Sequence, residues 1–210
     1  QTIGYGALAI IGLFVVLLLF SSLMIATDLT KQELIDKYTN EKSFFYFLPS
    51  GAEMHIRDQG NKDKPALILL HGSNASLHTW EPLVAQLKDD YRLISFDLPG
   101  HGLTGATPQD DYSNIAMANF TREVIELYDF KSVTLVGNSM GGGVALRYAL
   151  THPREVDALV LVSSGGMERD ENDSSVGAFA LIGSDIALRL MRYFTPRFMV
   201  AGTLEGVVAD

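Results

Sequence analysis

The first 27 positions carry no charge, and within them "IIGLFVVLLLF" runs without a polar break. At 1.5 Å per residue about 20 apolar residues cross a bilayer, and this run is long enough. A secretory leader would have about 7–15 apolar residues followed by a small-x-small cleavage site. The continuation "SSLMIAT" offers no clean site of that kind. A buried core helix would show a polar face. The pattern therefore predicts a single-pass membrane anchor over residues 1–27. The sequence starts at Gln1, with no upstream flank to count, and the downstream flank "DLTKQELIDKY" nearly balances its charges. The side of the membrane is therefore not fixed by flanking cations, although an extracytoplasmic location is slightly favoured.

Polarity then rises. Residues 28–43 place Leu29, Leu34, Ile35 and Tyr38 at helical spacing, which predicts a short juxtamembrane linker helix. "SFFYFLP" and "AEMHIRDQG" alternate with period two around Pro49-Ser50-Gly51 and read as a hairpin. "PALILLHG" is apolar throughout and ends on glycine, the mark of a strand buried on both faces. A helix is predicted over residues 77–87, a strand in "YRLISFDLPG", a helix over 114–128, a strand in "SVTLVG", a helix over 140–151 and a strand in "VDALVLVSS". Strands alternating with helices at this spacing predict an α/β fold with a mostly parallel sheet covered on both sides.

The pattern changes again after Ser164. "GGMERDENDSS" is glycine-rich and then charged, and "VGAFALIGSDIALRLMRYFTPRFMV" is apolar and helical in spacing, broken near Pro196. Arg189, Arg192 and Arg197 interrupt it, which argues against a second full span. Residues 44–165 thus read as the N-terminal part of a core, and 166–210 as the start of a lid.

Composition narrows the function. The net charge of -9 argues against a nucleic-acid partner, which would call for a basic patch. The absence of cysteine removes disulfides and thiolate metal sites. It also fits an exported protein. Nothing calls for a cofactor, and the oligomeric state is not specified.

The chemistry centres on "TLVGNSMGGGVALRYA", where an apolar strand passes into a helix through a glycine-rich turn with Ser139 at the apex. Side chains two before and two after the apex would strike neighbouring backbone, and Gly137 and Gly141 have none. Gly142 and Gly143 are expected to let the helix pack close to the sheet. The helix N-terminus aims its N–H groups at the apex, which favours a developing oxyanion. A phosphate cradle is the bland alternative. No lysine follows as a Walker loop requires, and "GNSMGGG" is not a dinucleotide fingerprint. G-x-S-x-G between a strand and a helix is the more specific match.

With "LLHGSNASLHTW", "FDLPGHGLTG" and "LVGNSMGGG" in that order, the chain resembles the α/β-hydrolase superfamily over about residues 44–165. The "GNSMGG" and "HG" segments are similar to those of carbon–carbon bond hydrolases and carboxylesterases. A serine at the apex does not suit a haloalkane dehalogenase, which uses aspartate there. The resemblance implies Ser139 as nucleophile. It also implies an oxyanion hole from the backbone N–H groups of Met140 and Ser73, with Asn74 as the alternative to Ser73. His71 would order the oxyanion loop without transferring protons, and Asp97 would fix the "DLPGHG" turn.

The same resemblance orders the triad as nucleophile, acid, histidine. No histidine follows His152, and His55, His71, His78 and His101 all precede Ser139. Glu168 and Asp170 sit near one acid position used by relatives, but in a charged, solvated stretch. The acid and histidine are therefore expected beyond Asp210, with this chain inactive alone. A metal site from His71, His78, Asp97 and His101 has no zinc spacing to support it. The glycosylation triplets at Asn74, Asn119 and Asn172 are read as chance. The expected function is a membrane-anchored serine hydrolase of a small apolar acyl substrate. The alternative is a non-catalytic, membrane-anchored binding or scaffold protein on the same fold.

Overall fold

A computed structural model describes residues 6, 11–16 and 29–166. The anchor expected over residues 1–27 falls mostly outside them, as does nearly all of the lid expected over 166–210. Among the described residues no helix is long and apolar enough to cross a membrane. The chain divides into two compact units, one of residues 30–168 and one of residues 1–29 with 169–210.

The unit of residues 30–168 is built on strands β1 (Ser43–Phe47), β2 (Glu53–Gly60), β3 (Ala66–Leu70), β4 (Arg92–Phe96), β5 (Val133–Asn138) and β6 (Val156–Val162). They form one sheet in the order β1-β2-β4-β3-β5-β6. β3 to β6 are mutually parallel where they pair, while β1 and β2 form an antiparallel hairpin and β2 runs antiparallel to β4. Ile56 lies opposite Phe96 and Gly60 opposite Arg92. The hairpin turn therefore sits at the end of the sheet where the parallel strands finish.

Among the described residues of this unit four α-helices accompany the sheet: α1 (Lys31–Tyr38), α2 (Glu81–Leu87), α3 (Asn114–Leu127) and α4 (Met140–Thr151). Ile68, Leu70, Ile94 and Phe96 join Phe120 and Val124 of α3 and Val144 and Tyr148 of α4 in one buried cluster. The intervening Leu67, Leu69 and Leu93 pack on the other face with Trp80 and with Val84 of α2. Period two thus feeds two cores, and burying each such side chain contributes about 1.5–3 kcal/mol.

One segment departs from the sequence reading. The helix expected over 77–87 is a 3-10 turn, Leu77–Trp80, followed by α2. Pro82 lies in the first turn of α2, where its missing N–H costs nothing, and so favours a fresh helix start there. In β2, His55 and Arg57 are both buried. Arg57 is satisfied by protein groups: Nε–H donates to Ser43 Oγ (3.0 Å), Nη1 to Glu81 Oε1 (2.6 Å) and Nη2 to the Tyr38 carbonyl (2.9 Å). That fork clamps the end of α1 and the start of β1 onto α2. A capping box between Thr30 and Glu33 starts α1.

Candidate active site

Ser139 is the residue between β5 and α4, with φ 51° and ψ -115°. Positive φ in a residue with a Cβ is strained, and such strain persists only where the surroundings impose it. Here the main chain is pinned from several sides. Ser139 N–H donates to the Val162 carbonyl (3.0 Å), and the Ser139 carbonyl accepts from Gly142 (3.0 Å), Gly143 (3.2 Å) and Gly165 (2.8 Å).

The flanking glycines make room for this turn. A Cβ on Gly137 would lie 2.5 Å from the Gly141 carbonyl oxygen and 2.6 Å from Gly142 Cα. One on Gly141 would strike the Leu70 and His71 carbonyls at the end of β3. Gly142 and Gly143 serve a different contact from the one expected. Added Cβ atoms there would meet Ser164 Oγ at 2.5 Å and the Gly165 carbonyl at 3.3 Å, so the close approach is to the turn after β6 and not to the sheet.

The loop after β3 passes close to Ser139. A Cβ on Gly72 would lie 3.2 Å from Ser139 Cβ. Ser73 follows, and its Oγ–H donates to Met140 Sδ (3.4 Å). The two residues expected to supply the oxyanion hole are thus side by side. Among the described residues nothing accepts from the Met140 or Ser73 N–H. Asn74, the alternative donor, has φ 55°. Ser139 is exposed, and its Oγ has no hydrogen-bond partner among the described residues.

The sequence pattern of the alpha/beta hydrolase fold matches residues 65–193. The chain belongs to the α/β-hydrolase family. It is 38% identical over 143 residues to an uncharacterized protein of Mycobacterium tuberculosis, covering 68% of this chain and 42% of the relative. It is 34% identical over 107 residues to a monoacylglycerol lipase of Xenopus laevis, covering 50% and 32%. The structure of an esterase from Exiguobacterium antarcticum superposes with a TM-score of 0.54 at 33% identity, covering 60% of this chain and 48% of the esterase. The chain therefore spans less than half the length of each of these relatives.

Within this α/β hydrolase the histidines are occupied elsewhere. His71 is buried, donates from Nδ1–H to the Gly72 carbonyl (2.8 Å) and accepts at Nε2 from Leu98 N–H (2.9 Å). Burial pushes its pKa down, against the upward pull of the Gly72 carbonyl. It is a neutral strut between the loops after β3 and β4. His78 lies against Ser76 Oγ (3.0 Å) and the Tyr38 carbonyl (3.0 Å). His152 lies against Thr151 Oγ1 (2.8 Å) and Arg122 (3.0 Å). His101 Nδ1–H donates to the Pro99 carbonyl (3.0 Å). No hydrogen bond joins any histidine to Ser139.

His55 carries a feature that sequence reasoning missed. Its Nδ1–H donates to Asp97 Oδ2 (2.8 Å), and its Nε2 accepts from Ser43 O–H (3.1 Å). Asp97 also accepts from Leu77 N–H (2.8 Å) and Leu103 N–H (2.9 Å). The order Ser–His–Asp is that of a triad, but Ser43 Oγ also accepts from Arg57, and the assembly is a brace under the loop of residues 98–104. With His71 and Asp97 so engaged, the histidines and Asp97 do not converge as a metal set. The only sequence signal was two polar residues, His55 and Arg57, on one face of a strand.

Burial would raise the Asp97 pKa, but the His55 bond and the two backbone N–H groups outweigh it and hold the carboxyl below its ordinary range. A depressed pKa contributes stability that is present above the unfolded value of about 4 and is lost as pH falls through the folded one. Asp97→Ala should cost about 3 kcal/mol at pH 7 by urea unfolding, because three donors lose their acceptor. The gap from wild type should narrow below pH about 4. A gap independent of pH would remove the ionised carboxylate from the account.

Proposed function

We propose that the protein is a serine hydrolase working by acyl transfer, in which Ser139 attacks the carbonyl of an ester or similar acyl substrate. One observation carries the reading: Ser139 is held strained at the tip of α4, with the Met140 N–H beside it unpartnered among the described residues. A turn of this strain without a task has no physical reason to persist. The Met140 and Ser73 N–H groups would hold the tetrahedral oxyanion, and losing one such donor costs about 10²–10³ in rate. The intermediate collapses with cleavage of the ester C–O bond and loss of the alcohol, and water then hydrolyses the acyl-enzyme to a carboxylic acid and free Ser139. Hydrolysis needs no metal or redox partner in this scheme.

The general base and its acid come from residues other than those described, since none of the histidines meets Ser139. The apolar run of residues 1–27 anchors the enzyme in a membrane. The apolar character of residues 176–200 favours a substrate with an apolar acyl part. The relatives support hydrolysis as the reaction class, one being a lipase and another an esterase.

Acyl trapping tests the proposal. In a protein extended to the relatives' length, excess p-nitrophenyl ester should add the mass of its acyl group to the peptide bearing Ser139. No mass gain during turnover would remove the acyl-enzyme.

A further inference from the structure

We infer that the hairpin end of the sheet, centred on Phe47, is a lipid-contact surface that holds the nucleophile end of the fold against a bilayer. The inference rests on the membrane anchor proposed above and adds which face meets the lipid.

Phe47 is 79% exposed, the most exposed of the large apolar side chains described. It does not follow the packing of its strand, where Phe45 turns inward and stacks on His55 at 5.1 Å. Phe44 and Tyr46, on the opposite face of β1, are also exposed. An edge strand with three exposed aromatic side chains is a poor surface to leave in water. Tyrosine is, however, enriched at the membrane–water interface, and phenylalanine is found on the apolar face of segments that lie in it.

The position of Phe47 decides the occupant. Phe47 lies opposite Glu53 in the β1–β2 ladder, and Glu53 forms an ion pair with Lys31 in the first turn of α1. Residues 28–30 alone separate α1 from the uncharged run, a reach of at most about 11 Å. Arg57 fixes α1 to the core at its other end through the Tyr38 carbonyl. A chain leaving a bilayer after residue 27 reaches the folded unit at α1, whose Lys31 pairs with Glu53 beside Phe47.

The same end of the sheet carries the chemistry. β2 runs antiparallel to β4, so the hairpin turn lies where the parallel strands finish, and Ser139 follows directly from the end of β5. A groove of about 560 Å³ continues from Glu53 and Lys31 along Leu34, Leu103, Ala106 and Pro108. With Phe47 in the lipid headgroup region, an ester dissolved in the bilayer lies on the side of the fold that holds Ser139.

The chain has no cysteine, so single labels are simple to place. Phe47→Cys and Leu150→Cys are each labelled with an environment-sensitive nitrobenzoxadiazole probe. The whole chain is reconstituted with phosphatidylcholine vesicles carrying nitroxide lipid. Leu150 is 68% exposed and lies near the far end of α4, about 16 Å along the helix from Ser139. Emission of Trp80, the sole tryptophan and 7% exposed, checks that each variant is folded.

The expected result is quenching several-fold stronger at position 47 than at 150, in protein that resists carbonate washing. Retention with no quenching at 47, or with equal quenching at both positions, overturns the lipid face and leaves the anchor standing. Quenching at 47 in protein that carbonate strips from the vesicles supports the face and removes the anchor. No association with vesicles removes both.

Discussion

Ser139→Ala should leave the protein folded and abolish its turnover. In a chain extended to the relatives' length, kcat for an ester should fall by about 10⁶-fold, the scale seen when a serine protease loses its nucleophile. Covalent capture by a fluorophosphonate should vanish with it. The fall is this large because no neighbouring hydroxyl stands in the same place. Ser139 occupies the one position where β5 has ended, the α4 N–H groups converge and Gly72 clears the approach. Stability should move little, since alanine at φ 51° carries the same backbone strain as serine and Ser139 Oγ makes no hydrogen bond among the described residues. A melting temperature matching wild type would separate lost chemistry from lost folding. Equal fluorophosphonate labelling of Ser139→Ala and wild type would sink the assignment.

Most of the fold was legible because period-two and period-3.6 patterns are set by burial, and burial is local in sequence. "ALILL" could be assigned to a strand covered on both faces without knowing its neighbours, and Leu67 and Ile68 do enter opposite cores. Where the pattern fell short, the cause was a tertiary partner. The alternation in "MHIR" marks a strand without showing what covers His55 and Arg57. Their burial depends on Ser43, Glu81 and Asp97, none of which lies near them in sequence. The break at Trp80 depends on Pro82, a signal that was present but outweighed by the helical spacing of the apolar residues.

The site divides in the same way. The elbow was legible because its G-x-S-x-G pattern lies within five residues, although only Gly137 is crowded by the turn itself, and Gly141 is crowded by the Leu70 and His71 carbonyls of β3 and its loop. The spacing also showed that Gly142 and Gly143 approach something closely, but their partner, the turn of residues 163–166, comes from another strand. Gly72 belongs to the same class. Its need for a missing Cβ arises only because β3 lies beside β5. Asp97 was read as the holder of the "DLPGHG" turn. The structure has it accept from Leu103, the residue that follows that turn, and also from His55 and Leu77.

The 210-residue chain alone should hydrolyse esters no faster than an oxyanion hole permits, because none of its five histidines is positioned to take the Ser139 proton. Four have protein partners at both ring nitrogens: His55 with Asp97 and Ser43, His71 with Gly72 and Leu98, His78 with Ser76 and Tyr38, and His152 with Thr151 and Arg122. Withdrawing His55 or His71, both fully buried, would break a packed strut. A serine enzyme without its base retains about 10³–10⁴ over water in the best-studied case, far below ordinary turnover. The outer strand β6 adds a second handicap. Val160 and Val162 are each 46% exposed, and an exposed apolar edge invites association, so the chain should also be poorly soluble. A protein extended to the length of the mycobacterial relative, of which this chain covers 42%, should recover turnover. That turnover should disappear when one histidine of the extension is changed to alanine. Robust Ser139-dependent hydrolysis by residues 1–210 would show that the base is already present. His101, whose Nε2 has no partner among the described residues, would then be the first side chain to replace.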